Sequence, residues 1–544
     1  MTDAGIARAS AWMALGTIFS RITGLLRMLL LVFVIGKSLD ADIFDTANTI
    51  PNALYILVAG GIFNVVLVPQ LVRSMKQDPD GGDAYANRVI TLGLLVLATA
   101  TAILMIAVPL LLHVFYDGEL FSAANAEQRE SAQLLMLLCM PQVFFYGAFV
   151  LVGQVLNARQ RFGPMMWAPI VNNLAAIAVL IVYAMVFGSS DGVDGFTTSQ
   201  ALLIGLGSTA AIALQTAVLV PFLRQAGFHF KPRFDFRGVG LSHTLRLALW
   251  TLGFIVVNQI AYIVIIRLGN RATLEGAANG EDAAGSYVYG LGFLVSQVPH
   301  GVITVSLATA IIPMLSSFAA DREFGRFRIE LARTVRLALV IIVPLAVAIA
   351  CLGQQIATIT NLAGNLEGGS TAIGWAIQAF SIAMVAFTVH YLMLRGFYAN
   401  EDTRTPFYIQ VVIAAVNIVA AVALTSLVEP ARVAMMLAFA FGIAYVVGSI
   451  LSTTLLGRTV GSVIDREMLV FAGKLVVAAG VAAVAMLASA AGLESAGLDQ
   501  SKPSGGLPTA IIAGTGGATA FVIATKLLRM DQLSYLVKTL RRRA

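Results

Sequence analysis

Fourteen stretches of this chain are apolar for twenty residues or more, with short polar connectors between them. They cover about 11–36, 46–72, 88–115, 131–157, 164–187, 201–223, 243–268, 285–318, 331–353, 371–397, 406–428, 432–456, 468–493 and 507–528. A membrane-crossing helix needs about 20 apolar residues, so each stretch predicts one span. A membrane β-barrel would instead show alternating segments of about ten residues. The expected fold class is therefore an all-α polytopic membrane protein of about 14 transmembrane helices.

Composition agrees with the pattern. Of 544 residues, 58% are hydrophobic and only 12% are charged, and the mean hydropathy is +0.85. So few charges cannot cover a soluble protein of this length. The net charge of +6 is better read by its sidedness than as a sign of nucleic-acid binding. Numbering the spans in order, the N-terminus, the even-span connectors and the tail carry 27 Lys and Arg, against 6 on the opposite side. Arg21 and Arg27, inside span 1, complete the 35. By the positive-inside rule both termini are expected in the cytoplasm, in a multi-pass protein of the plasma membrane. The basic end Arg541–Arg543 reads as a cytoplasmic stop or, less simply, as a contact for anionic lipid.

Two landmarks repeat. Val68-Pro69 near the end of span 2 matches Ile312-Pro313 near the end of span 8, and Pro164 opening span 5 matches Pro406 opening span 11. A turn is expected before each of the second pair, over Gly153 to Gly163 and Gly396 to Thr405. An offset of six spans preserves orientation, so the repeat is parallel. It predicts two pseudo-symmetric six-helix lobes, 1–228 and 229–460, with two further helices and the basic tail in 461–544. Paired lobes suit a transporter whose substrate site lies between them and that works by alternating access.

The candidate chemistry is cationic. A charge at mid-membrane costs about 2.5–3.5 kcal/mol on insertion scales and so normally faces a polar cavity. Arg21 and Arg27 either do this or snorkel to the interface. Their spacing of six turns them about 120° apart. No Asp or Glu falls at the centre of any span, which argues against a cation exporter. Guanidinium groups suit phosphate, so an anionic, phosphorylated substrate is expected. Asp40, Asp42 and Asp45 cluster in the first outer connector. They read as a helix N-terminus, a gate that pairs with arginine, or a metal site. Pro51, Gly60 and Gly61 in span 2, and Gly290, Gly292, Pro299 and Gly301 in span 8, mark either breaks that line a cavity or close helix packing. His300 follows Pro299. The other histidines (His113, His229, His243, His390) have no metal-ligand spacing, and Cys139 and Cys351 read as packing residues. No GxxxxGK[ST], GxSxG or HExxH motif occurs, so neither a built-in ATPase nor these hydrolase chemistries are expected.

Several strings resemble one family. Ser20-Arg21-Ile22-Thr23-Gly24-Leu25-Leu26-Arg27 is similar to the S-R-x-x-G-x-x-R opening of the MurJ/MviN family, the lipid II flippases of the multidrug/oligosaccharidyl-lipid/polysaccharide exporter superfamily. Asp42-Ile43-Phe44 and Pro51-Asn52 match its D-x-F and P-N elements. Gly153 to Asn157, Arg161-Phe162 and Ala168-Pro169 match a second segment. Gly396-Phe397-Tyr398-Ala399 and Asp402 to Pro406 match a third.

The resemblance implies a flippase that moves lipid II, the undecaprenyl-pyrophosphate-linked disaccharide-pentapeptide, from the inner to the outer leaflet. It gives Arg21, Arg27 and Ser20 to substrate binding, Asp42 to the outer gate, and Pro51, Asn52, Asn157 and Pro406 to gating or structure; Pro299, as a break in span 8, joins the gating candidates. The expected partners are lipid II or a related polyprenyl-pyrophosphate glycolipid, the bilayer and cell-wall synthesis proteins, with no nucleic acid. No cofactor is expected, and the driving force is the membrane potential, an ion gradient or removal of product outside. The chain departs from the family where Tyr55, Ile56 and Leu294 stand in place of arginines. The residue before G-F-Y is Arg395, where proline is usual. Arg395, Arg267 and His300 are candidate replacement charges. The same departures leave open a flippase for another polyprenyl-linked glycan. A drug antiporter would need a cavity carboxylate, a glycosyltransferase would depend on a metal at Asp40 and Asp42, and a non-transporting scaffold of wall synthesis would tolerate loss of Arg27.

Overall fold

The computed structural model describes residues 3–56, 80, 82–159, 161, 163–189, 192–235, 242–362, 370–530 and 532, and of 3–15, 17–18 and 242–248 the backbone alone. Val68-Pro69, Gly60, Gly61 and the Arg541–Arg543 tail lie outside the described residues. Among those described there is no β-strand. Among the described residues, twelve helical stretches are long and apolar enough to cross a membrane, and they correspond one for one to predicted spans 3–14. Span 1 is the helix α1 (Asp3–Ile35). Span 2 begins as α2 (Leu39–Tyr55) and continues outside the described residues.

Contacts divide the chain into two compact units, Met1–Leu274 and Glu275–Ala544. The lobes 1–228 and 229–460 rest on the repeat, a different criterion. In the first unit, α3 (Asp83–Ile106) and α4 (Val108–Phe115) form one span broken at Ala107. Pro109 cannot supply an N–H to the preceding turn, which is why the break falls there. Next come α5 (Ala126–Cys139), α6 (Gln142–Ala158), α7 (Gly163–Phe187), α8 (Thr198–Ala217) and α9 (Leu219–Gln225). The long α10 (Ser242–Asn279) belongs to this unit as far as Leu274. Helix α1 packs on α7, α3 on α6, and α2 and α8 on α5.

The second unit holds α11 (Ser286–Pro299), a π-helical turn (His300–Thr304), α12 (Val305–Ala320), α13 (Phe324–Ala357) and α14 (Thr371–Ala399). It ends with α15 (Arg404–Thr425), α16 (Val433–Val460), α17 (Arg466–Ser495) and α18 (Pro503–Leu527). Helix α14 is its centre, packed by α11, α13 and α16. The appended pair α17 and α18 pack on each other and against α13. Most residues of this pair's outer faces are exposed and apolar, for example Val476 and Val484, as lipid-facing residues are.

The landmark turns are shorter than the sequence suggests. Gly153 and Gly396 do not open turns; they lie inside α6 and α14, whose helices run on to Ala158 and Ala399. Close helix approach explains them. A Cβ on Gly153 would stand 2.7 Å from Met165 Sδ, and one on Gly396 2.5 Å from Leu456 Cδ2. Pro164 and Pro406 each sit in the first turn of their helix, where the missing N–H costs nothing.

Candidate functional site

The run Ser20–Arg27 spans two turns of α1. Residues 20, 24 and 27 fall on one helical face, because i+4 and i+7 return to it, and Arg21 falls about 100° away. That face meets α7. Asn173 Nδ2 donates to the Ser20 carbonyl (3.0 Å) and to Thr23 Oγ1 (3.0 Å). Gly24 leaves room for the same amide, whose nitrogen would lie 3.5 Å from an added Cβ. Phe19 stacks on Trp167 with centroids 6.1 Å apart.

Arg27, one turn beyond Gly24, is half-buried, whereas Arg21 is exposed. Arg27 lies in the neighbourhood of the Asp45 carboxylate of α2 and of Tyr146 of α6, yet it forms no ion pair among the described residues. Asp45 instead accepts from Thr49 Oγ1 at 3.3 Å. The two arginines therefore do not converge on one point, and only Arg27 faces the interior of its unit.

The three aspartates of the first connector serve three different partners. Asp40 and Asp42 occupy the first turn of α2, where negative charge complements the helix dipole. Asp40 is buried and accepts from the Gly195 N–H at 2.8 Å. Asp42 is fully buried and accepts from Thr273 Oγ1 of α10 at 2.8 Å. Beside it, the buried Asn270 donates to Thr46 Oγ1 (3.1 Å) and to the Phe115 carbonyl (3.2 Å). This polar knot ties α10 to α2 and to the end of α4. Lys37, also fully buried, lies two residues before α2. Sequence reasoning missed Asn270 and Thr273, because a lone polar residue near a span end carries no mark of its partner.

The gating candidates are held as follows. Pro51 is buried within α2, and Asn52 is half-buried. Gln259 of α10 donates to the carbonyl of neighbouring Ala53 at 2.7 Å. Asn157 donates to Gln154 Oε1 at 3.3 Å and lies 3.5 Å from Met165 Sδ. Next to it, Arg159 was not singled out by its motif, yet it does more. Its guanidinium pairs with Asp83, donates to the Ala226 carbonyl at 2.8 Å and lies over the Phe228 ring at 5.3 Å. Pro299 ends α11 and leads into the π-helical turn; π-turns often mark functional sites. Pro406 is buried in α15.

The second unit brings two of the candidate replacement charges together. His300 is buried, with Nδ1 3.2 Å from Thr388 Oγ1, and its ring meets Tyr391 edge-on at 5.0 Å. Arg395 lies over the same Tyr391 ring at 4.2 Å, and its Nε is buried with no hydrogen-bond partner among the described residues. Tyr391 thus stands between them. Arg267, in the first unit, is exposed and donates to the His113 carbonyl at 2.9 Å. The three positions where the resemblance led to an expectation of arginine are packed among other side chains. Tyr55 is buried and stacks on Tyr146 at 6.2 Å, and Ile56 and Leu294 are half-buried.

Comparison with known proteins agrees with this architecture. The family model described as "Lipid II flippase MurJ" matches residues 31–496. Among curated relatives, the probable lipid II flippase MurJ of Haemophilus influenzae is 28% identical over 409 residues, covering 73% of this chain and 76% of that protein. Its namesake in Rhizobium tropici is 27% identical, covering 74% and 72%. Among solved structures, a lipid II flippase MurJ in an inward closed conformation superposes with a TM-score of 0.70 at 18% identity, over 96% of this chain and 99% of that one. An inward-facing multidrug resistance MATE family transporter of the MOP superfamily gives 0.63 at 13% identity, over 82% and 95%. These structural likenesses establish the fold. The family match spans most of the chain, including α2, the Arg159 corner and the His300–Arg395 cluster, and the chain belongs to the MurJ family of lipid II flippases.

Proposed function

We propose that this protein moves lipid II from the inner to the outer leaflet of the plasma membrane by alternating access, with both termini in the cytoplasm. The observation that carries the residue-level reading is Arg27. It is a permanent cation, half-buried in a membrane-crossing helix, and no carboxylate within bonding distance neutralises it among the described residues. Such a group attracts an anion into a low-dielectric site, and its planar fork suits a pyrophosphate. Asp45 accepts from Thr49 rather than pairing with Arg27, which leaves Arg27 free to exchange partners as substrate arrives and departs. Arg21, exposed and turned away, serves the approach of the headgroup rather than its retention.

With Tyr55 and Ile56 in place of two family arginines, fewer cations share the pyrophosphate, and Arg27 carries more of the binding. These departures also favour a second reading. A site that reads mainly the pyrophosphate would accept another polyprenyl-pyrophosphate-linked glycan. The driving force fits the membrane potential, which supplies about 2.3 kcal/mol per charge per 100 mV, or an ion gradient. Cell-wall synthesis proteins are the partners expected to consume the product.

The experiment depletes the protein from cells and measures the fraction of lipid II accessible at the outer face. Depletion should trap lipid II inside, and re-expression should restore its export. Unchanged export, in cells shown to hold no second lipid II flippase, would remove lipid II as the substrate and leave the other polyprenyl-linked glycans.

A further inference from the structure

A second cationic site lies away from the residues described so far, wholly within the second unit. Where α17 begins, α18 ends and Arg336 of α13 meets them, the side chains line an open cavity of about 330 Å³, at the lower end of the range for small-molecule sites. Four cations line it, Arg336, Arg466, Lys474 and Arg529, against one acid, Glu467. Glu467 is mostly exposed and is engaged by Arg336 at 3.2 Å. Arg466, Lys474 and Arg529 form no ion pair among the described residues. Four like charges around one cavity repel each other, and an anion at their centre relieves that repulsion.

The chain shapes this cavity locally. Helix α18 ends with Arg529 in the left-handed region (φ 52°). The Arg529 N–H bonds the Lys526 carbonyl at 3.1 Å, and the Met530 N–H bonds the Thr525 carbonyl at 2.9 Å. This reversal returns Met530 and Gln532 to the cavity wall. Gln532 Oε1 is buried and accepts no hydrogen bond among the described residues, so the cavity offers an acceptor as well as cations. On the α17 side the wall continues into Leu469 and Val470, which are 63% and 51% exposed, the apolar surface that acyl chains would cover.

We propose that this cavity binds the headgroup of an anionic phospholipid of the cytoplasmic leaflet. The phosphate sits among Arg466, Lys474 and Arg529, a headgroup hydroxyl donates to Gln532 Oε1, and the acyl chains lie along α17. Three features favour a lipid over a soluble phosphate. The cavity stands at the ends of two membrane helices, it opens beside an apolar flank, and the distribution of Lys and Arg assigns these ends to the side facing the cytoplasmic leaflet. The bound lipid would staple the appended pair α17 and α18 to α13. The inference rests on that orientation, but not on the identity of the transported substrate.

The test uses the full chain, purified in detergent and exchanged into vesicles of phosphatidylcholine with or without phosphatidylglycerol. Wild type should bind phosphatidylglycerol selectively and gain thermal stability from it. Arg466→Gln/Arg529→Gln should bind it at least about tenfold more weakly and lose that gain, with its stability in pure phosphatidylcholine unchanged. Arg466→Lys/Arg529→Lys should retain most of the binding, which separates lost charge from lost fold. Equal phosphatidylglycerol binding by wild type and the double Gln variant would overturn the proposal. Displacement of the lipid by soluble glycerol phosphate at millimolar concentration would also overturn it, and would assign the cavity to a soluble phosphate compound.

Discussion

The Thr273 hydroxyl donates to the Asp42 carboxylate at 2.8 Å, across 231 positions of chain. Both side chains are buried, Asp42 fully so. The resemblance to the family assigns Asp42 to an outer gate. In this protein the same carboxylate is also the anchor that holds the end of α10 against α2, helped by Asn270 and Thr46. Removing one partner of a buried hydrogen bond to a charged group costs about 1–3 kcal/mol. Thr273→Val should therefore lower the unfolding temperature of the purified protein measurably, and Thr273→Ser should not. Equal melting of Thr273→Val and wild type would show that the bond contributes nothing net.

Arg159 makes a second anchor. It joins the start of α3, the end of α6 and the segment after α9 through Asp83, the Ala226 carbonyl and the Phe228 ring. Arg159 is 16% exposed although Asp83 is 40% exposed, and its carbonyl and ring contacts add to an ion pair that alone, at the surface, is worth at most about 1 kcal/mol. Arg159→Gln should destabilise the protein by about 1–3 kcal/mol, and Arg88→Gln, whose partner Asp235 is largely exposed, by much less. Denaturation of the two variants in one detergent gives the comparison. A larger loss for Arg88→Gln would reverse the assignment.

Two glycines of α11 separate packing from bending. A Cβ on Gly292 would lie 3.0 Å from the backbone carbon of Ala376 in α14, whereas one on Gly290 would meet nothing within 4 Å. Backbone cannot give way as a side-chain tip can, so Gly292→Ala should cost about 1–3 kcal/mol through overpacking. Gly290→Ala should be tolerated and should firm the helix by up to about 1 kcal/mol. Thermal stability and lipid II export, measured on both variants, test this. Loss of export with unchanged stability in Gly290→Ala would make Gly290 a hinge instead.

Much of the fold was legible because length and apolarity decide it. Spans 3–14 were each recovered as a helical crossing, but spans 3, 4, 6 and 8 are each built from two helices, and α10 runs eleven residues past the expected end of span 7. Pro164 and Pro406 sit in the first turns of their helices and Pro313 lies inside α12, but Gly153 and Gly396 served close approach instead of turns, and a sequence does not distinguish the two uses. The spacing of Arg21 and Arg27 already implied that they diverge. What the sequence could not show were polar pairings at long separation, such as Asn270 with Thr46 and Asp42 with Thr273. Each partner alone looks like an ordinary residue near a span end. The meeting of His300 and Arg395 on Tyr391 was hidden for the same reason, since it depends on how α11 and the turn after it pack on α14.

The central claim is that Arg27, and not Arg21, retains the pyrophosphate. The most direct test is outer-face lipid II in depleted cells that re-express Arg27→Ala, Arg27→Lys or Arg21→Ala at equal levels. The account predicts that Arg27→Ala loses export, that Arg27→Lys keeps part of it because the charge remains while the bidentate fork is lost, and that Arg21→Ala keeps most of it. Full export by Arg27→Ala would contradict the account and move the anion site elsewhere in the protein.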